Sequence, residues 1–235
     1  MHPILQNETN RNILARHVGV DAFSCFVVAY LGWKARHLMQ DMVDAIFGSR
    51  LQNGPKKFPV AYEGRMYTYQ PESARICLFF FAYQVKNTYD TIVWNDGPEF
   101  IAHHMLTLGT CWTPMGVGCA HSYVPFFFGV SEISTAVLCL LANFDDVHGV
   151  PGLAEAFPMV KVTLGGIFAV LFVTCRVFMW STVSYFYCRD AWNALNGSDS
   201  RLHGRKNWFR YTFVSLSLLS LLQIIWLAEI ARVGK

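Results

Sequence analysis

Two adjacent histidines, His103 and His104, stand inside the apolar stretch WNDGPEFIAHHMLT at 94–107, and they are the first residues of this sequence whose type and depth point to chemistry. An ionisable side chain at the centre of a bilayer costs about 2.5–3.5 kcal/mol on the most lenient insertion scales, so it is a functional candidate by default. With a pKa near neutrality, an imidazole can remove a proton from a hydroxyl or amine, or take an acyl group before passing it on. Neighbouring helical residues point about 100° apart, so one imidazole can face a cavity while the other bonds a neighbouring helix. Thr107, four residues after His103, shares its face.

A carboxylate partner is available one apolar segment later. In FFFGVSEISTAVL, Glu132 is accompanied by Ser131, Ser134 and Thr135. A carboxylate bonded to one imidazole nitrogen would fix its tautomer and stabilise its charged form. The same residues would serve equally as a polar clasp between helices. Arg176, in FVTCRVFMW, is too deep to reach the interface and must meet either a carboxylate such as Glu132 or a lipid or phosphate-bearing ligand. His103, His104 and Glu132 are thus the candidate catalytic residues. Arg176, Thr107, Ser131, Ser134, Asp90 and Trp94 are the candidate ligand-binding ones. Asp90 also stands four residues from Lys86 and is expected to pair with it at the interface. Asp21 and His121, near segment ends, are expected to be wet.

Metal chemistry fits poorly. Membrane di-iron enzymes hold their metals with several histidine-rich boxes, whereas this chain has eight histidines and one HH pair. The run Asp145-Asp146-Val147-His148 reads as a solvated loop. The seven cysteines stand singly, mostly in apolar runs, and read as small buried hydrophobes; palmitoylation of Cys188 is the less plain alternative.

These residues must be positioned by membrane helices. With 53% hydrophobic and 15% charged residues, the 235-residue chain is too apolar for an ordinary soluble domain. A net charge of +3 gives no argument for nucleic acid. Six apolar segments approach the roughly 20 residues a spanning helix needs, at about 18–33, 74–94, 98–119, 123–144, 160–187 and 209–230. The expected fold is an all-α, multi-pass bundle of about six transmembrane helices enclosing a lipid-sized cavity. A polar segment at 1–17 precedes the transmembrane domain, 18–230, and a short tail follows at 231–235. The first span is expected to extend along an interfacial face through Leu38, Met42, Ile46 and Phe47, followed by a loop at 48–73 punctuated by Gly54, Pro55, Pro59, Gly64 and Pro71. Asp96 is expected to cap the third helix, with Glu99 in its first turn. The third segment carries both histidines and three threonines, so it belongs among the other helices rather than against lipid. No apolar signal core precedes the first span, which is therefore expected to do the targeting. Twelve Lys and Arg residues fall on one side against five on the other, which would place the long loops in the cytosol and the termini in the lumen. The sequons at Asn7 and Asn196 then fall on opposite sides.

The histidine pair after a W-x-D turn, the Ser-Glu-Ile-Ser-Thr segment one span later and the arginine in the next long apolar run together resemble the TLC domain of ceramide synthases and their non-synthase relatives, over about 18–230. The resemblance implies a lipid-sized cavity, residence in the endoplasmic reticulum rather than the plasma membrane, and a role in lipid synthesis, transport or sensing. Membrane lipids are the implied partners. In ceramide synthases the histidine pair, matched by His103 and His104, carries acyl transfer from acyl-CoA to a sphingoid amine. This reading needs no cofactor beyond acyl-CoA as co-substrate. The synthases also carry two aspartates three residues apart in the following span, where this chain has Gly129 and Glu132, which brings it closer to the non-synthase branch. The synthase topology puts the end of the domain in the cytosol, against the charge count, so the two criteria for orientation conflict.

Overall fold

The computed structural model describes residues 3–40, 62–197 and 204–233, and every regular element among them is helical. Helix α1 runs from Glu8 to Lys34, with a π turn at Ala15–Ala22. It starts earlier than the apolar pattern predicts because the Asn7 side chain accepts the Thr9 amide at 2.9 Å and caps the helix. The short α2 is Tyr62–Tyr67 and α3 is Pro71–Trp94. Gly64 therefore lies in a helix rather than a loop, and Pro71 opens α3, where its missing N–H costs nothing. Gly54, Pro55, Pro59, Met42, Ile46 and Phe47 lie outside the described residues.

Helix α4, Pro98–Trp112, runs into a π turn at Thr113–Val117. Helix α5 is His121–Ala142, α6 the single turn Leu153–Ala156, α7 the 39-residue Pro158–Asn196, and α8 Lys206–Val233. At 1.5 Å per residue α7 is about 58 Å long, so it outruns a hydrocarbon core of about 30 Å. By length and composition α1, α5, α7 and α8 can cross a membrane. The other two segments are shorter or more polar: α4 has 15 residues, and α3 carries Lys86 and Asp90. Successive long helices alternate in direction, which puts the start of α1 and the end of α8 at the same end of the bundle as the turn 95–97 and the loop 143–157.

The centre of the bundle is α5. Its apolar window is 61% buried, against 22–33% for the other three spans. Tyr123, Val124, Phe126, Phe127 and Phe128 form the middle of the core, so this aromatic run packs protein rather than lipid. α4 lies between α3 and α8, as its polarity requires. Thr110 meets Ser215 at 2.7 Å and Thr113 meets Thr212 at 2.5 Å, both across to α8.

Where α1 crosses α5, two glycines touch. A Cβ on Gly129 would lie 2.7 Å from Gly32 Cα, and one on Gly32 would lie 2.4 Å from the Pro125 carbonyl oxygen. Backbone approach of this kind is a usual way to join membrane helices. Gly129→Ala is therefore expected to destabilise by about 1–3 kcal/mol through overpacking, read as a lower unfolding midpoint in detergent. Gly165→Ala, with open space around it, should cost nothing and gain up to about 1 kcal/mol of helix propensity.

Two polar clamps hold the ends. At the end carrying the chain termini, Arg16 donates to both Asp96 carboxylate oxygens and lies 5.0 Å from the Trp94 ring. Asp96 thus anchors to α1 instead of capping α4, whose cap residue is Gly97 at φ +130°. Lys86 bonds Asp90 at 2.5 Å, as the i,i+4 spacing predicts, and also Asp21 at 2.8 Å. Asp21 is 4% exposed, hence buried rather than wet, because α3 folds over it. His121 is likewise buried, and its Nδ1 lies 3.1 Å from the Gln70 carbonyl oxygen. At the opposite end Arg65 Nε and Nη2 donate to the Asp190 carboxylate at 2.6 and 2.9 Å, and the Tyr123 hydroxyl donates to the same group. This clamp ties α2, α5 and α7.

Candidate functional site

The two histidines diverge as helical geometry requires. His104 is 7% exposed and turns to α3, where its Nδ1 lies 2.9 Å from Gln84 Oε1. An amide oxygen can only accept, so Nδ1 carries the proton and Nε2 is left with a lone pair. Gln84 is therefore the residue that fixes this imidazole. Sequence reasoning passed over it, although a lone amide in the apolar run FFFAYQV was a visible signal. His103 turns the other way. Its ring meets His104 edge-on at 5.3 Å and Trp226 of α8 at 5.2 Å, and its Nδ1 is buried without a hydrogen-bond partner.

Glu132 does not orient either histidine. Its Oε1 accepts from Arg176 Nη2 at 2.8 Å, and Cys25 Sγ lies 3.9 Å from its Oε2. Arg176 also donates to Thr135 Oγ1 at 2.8 Å and to Ser134 Oγ at 3.3 Å, with the Trp180 ring 5.4 Å away. The physical reason is competition: a buried guanidinium is far costlier to leave unpaired than a neutral imidazole, so it takes the carboxylate. Of the two partners the sequence allowed for Arg176, a carboxylate or an anionic ligand, the structure supplies the carboxylate.

His103, Thr107, Glu132 and Arg176 line one pocket with Thr110, Phe127, Phe128, Trp180, Leu216 and Leu219, around a cavity of about 20 Å³. A second pocket, also of about 20 Å³, shares Thr110, Phe127, Phe128 and Leu216 with it and extends between α4, α5 and α8 toward Thr113, Tyr187 and Thr212. Each has room for about one water and is far below the roughly 300–1,000 Å³ of a small-molecule pocket, so a hydrocarbon chain would have to part α4, α5 and α8 to enter. The two pockets follow one another along α4 from the polar group at His103.

The other expected ligand-binding residues are placed differently. Ser134 touches Arg176 from behind, and Ser131 is buried with its hydroxyl donated to the Phe127 carbonyl at 3.0 Å. Asp90 and Trp94 belong to the clamp with Lys86 and Arg16, outside the pocket. The Asp145 loop closes on itself: Oδ1 accepts the His148 and Val147 amides at 2.8 and 2.9 Å, and the His148 hydrogen bond holds this carboxyl below its usual range.

Gly129 faces the backbone of Gly32, so no side chain fits there without parting α1 from α5. The missing carboxylate is a condition of the helix crossing.

A family model described as the TLC domain matches residues 15–232. No curated protein and no solved structure matches the chain.

Proposed function

The chain belongs to the TLC domain family and is an integral membrane protein, and from that premise we propose that it binds a membrane lipid in the paired pockets below His103 and acts in lipid homeostasis. The observation that carries the reading is the line of two small pockets along α4. It has a polar end at His103, Glu132 and Arg176, and a wall of Phe127, Phe128 and Leu216 continuing from it. Residence in the endoplasmic reticulum is part of the proposal and rests on the family resemblance alone. Mass spectrometry of lipid carried by protein purified in mild detergent tests it. One single-chain species, enriched over bulk detergent-extracted lipid and depleted in a Leu219→Trp variant that fills the pocket, is expected. A bulk lipid profile unchanged by that variant would refute it.

A second reading is favoured by the Gln84–His104 hydrogen bond, which prepares a base beside His103. On that reading the protein is an acyl-CoA-dependent N-acyltransferase. His103 or His104 would take the acyl group or the amine proton, and Glu132 would neutralise Arg176 rather than orient an imidazole. Purified protein supplied with labelled acyl-CoA and long-chain amines decides it. Turnover abolished by His103→Ala and by His104→Ala supports the enzyme, and no turnover in the parent removes it.

A further inference from the structure

Gln223 is an amide with no hydrogen bonds. It is 3% exposed on α8, in the run LSLLQIIWL, and both its Oε1 and its Nε2 are buried without partners. A buried amide left this way costs about 1–3 kcal/mol per unmet group, which a membrane helix could avoid with one leucine. Its position explains what could meet it. Leu216, Leu219, Gln223 and Trp226 recur at 3-4-3 spacing and so share one stripe of α8. Leu216 and Leu219 line the His103 pocket, and Trp226 meets the His103 ring. The height agrees. Trp180 Nε1 donates to Ser220 Oγ at 2.9 Å across the antiparallel pair α7 and α8, so one turn further along each helix Gln223 stands level with Arg176. A third unmet group, His103 Nδ1, belongs to the same layer.

The charge of this layer is already balanced, because Glu132 and Arg176 are paired at 2.8 Å. What it still offers is the donor and acceptor of one amide and one imidazole nitrogen. We propose that Gln223 and His103 form the head-group subsite of the pocket, and that it takes an uncharged group presenting both a donor and an acceptor, a hydroxyl or carboxamide on a single hydrocarbon chain. An anionic or cationic head would meet the opposite member of the ion pair and its like member together; a quaternary ammonium has no hydrogen to donate, and a phosphate would use the amide's donors at the cost of losing its water. This inference rests on the lipid-binding reading and specifies its ligand class.

The test uses four probes of equal chain length on the purified full chain in detergent, with binding followed by native mass spectrometry: palmitamide, hexadecanol, hexadecyl phosphate and hexadecyltrimethylammonium. Palmitamide and hexadecanol are expected to bind about tenfold more tightly than either permanently charged probe, the difference one buried hydrogen bond makes. Gln223→Leu should erase that preference while leaving the empty protein at least as stable, which separates recognition from a structural role. A charged probe bound as tightly as palmitamide, or a Gln223→Leu protein with the parent's preference, overturns the subsite while lipid binding stands. If no probe binds the parent, both readings fall.

Discussion

Glu132→Ala is expected to destabilise the protein by about 3–5 kcal/mol, the penalty for stranding a buried charge when one partner of an ion pair is removed. Arg176 has an 8% exposed side chain, and Glu132 is the one carboxylate bonded to it among the described residues. Thr135 and Ser134 would remain bonded to it but carry no charge. The guanidinium would have to draw in water, shift helix α7 or unfold its surroundings. Arg176→Met combined with Glu132→Leu should recover most of the loss, because an ion pair replaced at both ends by apolar side chains of similar volume is often neutral or better. Unfolding midpoints of the parent, the two single variants and the double variant, in one detergent and at one lipid-to-protein ratio, measure this. Equal loss in single and double variants would mean that Glu132 matters for something other than Arg176, and the orientation of His103 would return as the leading account of it.

That outcome bears on how the site could be read in advance. The depth of the histidine pair and the need of Arg176 for a partner were legible, because the cost of burying a charge follows from residue type and hydropathy alone. Which of the two deep groups wins the carboxylate was not. It depends on the rotation of α5 about its axis, and that is set by the contact of Gly129 with Gly32. The same limit hid Gln84 and Gln223. Each is a single amide in an apolar run, and whether it faces lipid, a histidine or a pocket is decided by neighbouring helices distant in the chain. The segment ends misled for a related reason. Hydropathy treats Asp21 and His121 as solvent-facing because their segments end there, while packing of α3 against α1 and of residues 69–73 against His121 buries both. The six-segment pattern carried the all-α bundle faithfully, since apolar periodicity reports burial directly. It could not report the short α2 or the π turns in α1, α4, α5 and α7, which depend on tertiary packing.

Asp190→Ala is expected to cost about 3–5 kcal/mol, since it removes the buried carboxylate that Arg65 and Tyr123 share. Asp190 is fully buried, receives two hydrogen bonds from Arg65 and one from Tyr123, and holds α2 and α5 to α7 at the end of the bundle away from the histidines. Both pairs are buried, with Arg65 giving Asp190 two hydrogen bonds and Arg176 giving Glu132 one; the second pair lines the His103 pocket, while the first touches only the neighbouring pocket, through Tyr123. That contrast separates stability from function. In the double variant Arg65→Met with Asp190→Leu, the stabilisation conferred by bound lipid should persist near the parent's size, because of the lining only the Tyr123 hydroxyl loses a partner. In Glu132→Leu with Arg176→Met it should fall, because two polar lining groups beside His103 are replaced by apolar ones even where stability has recovered. Thermal unfolding with and without added lipid measures both. Equal lipid stabilisation in the two double variants would show that the Glu132–Arg176 pair is only a second clamp that takes no part in holding lipid.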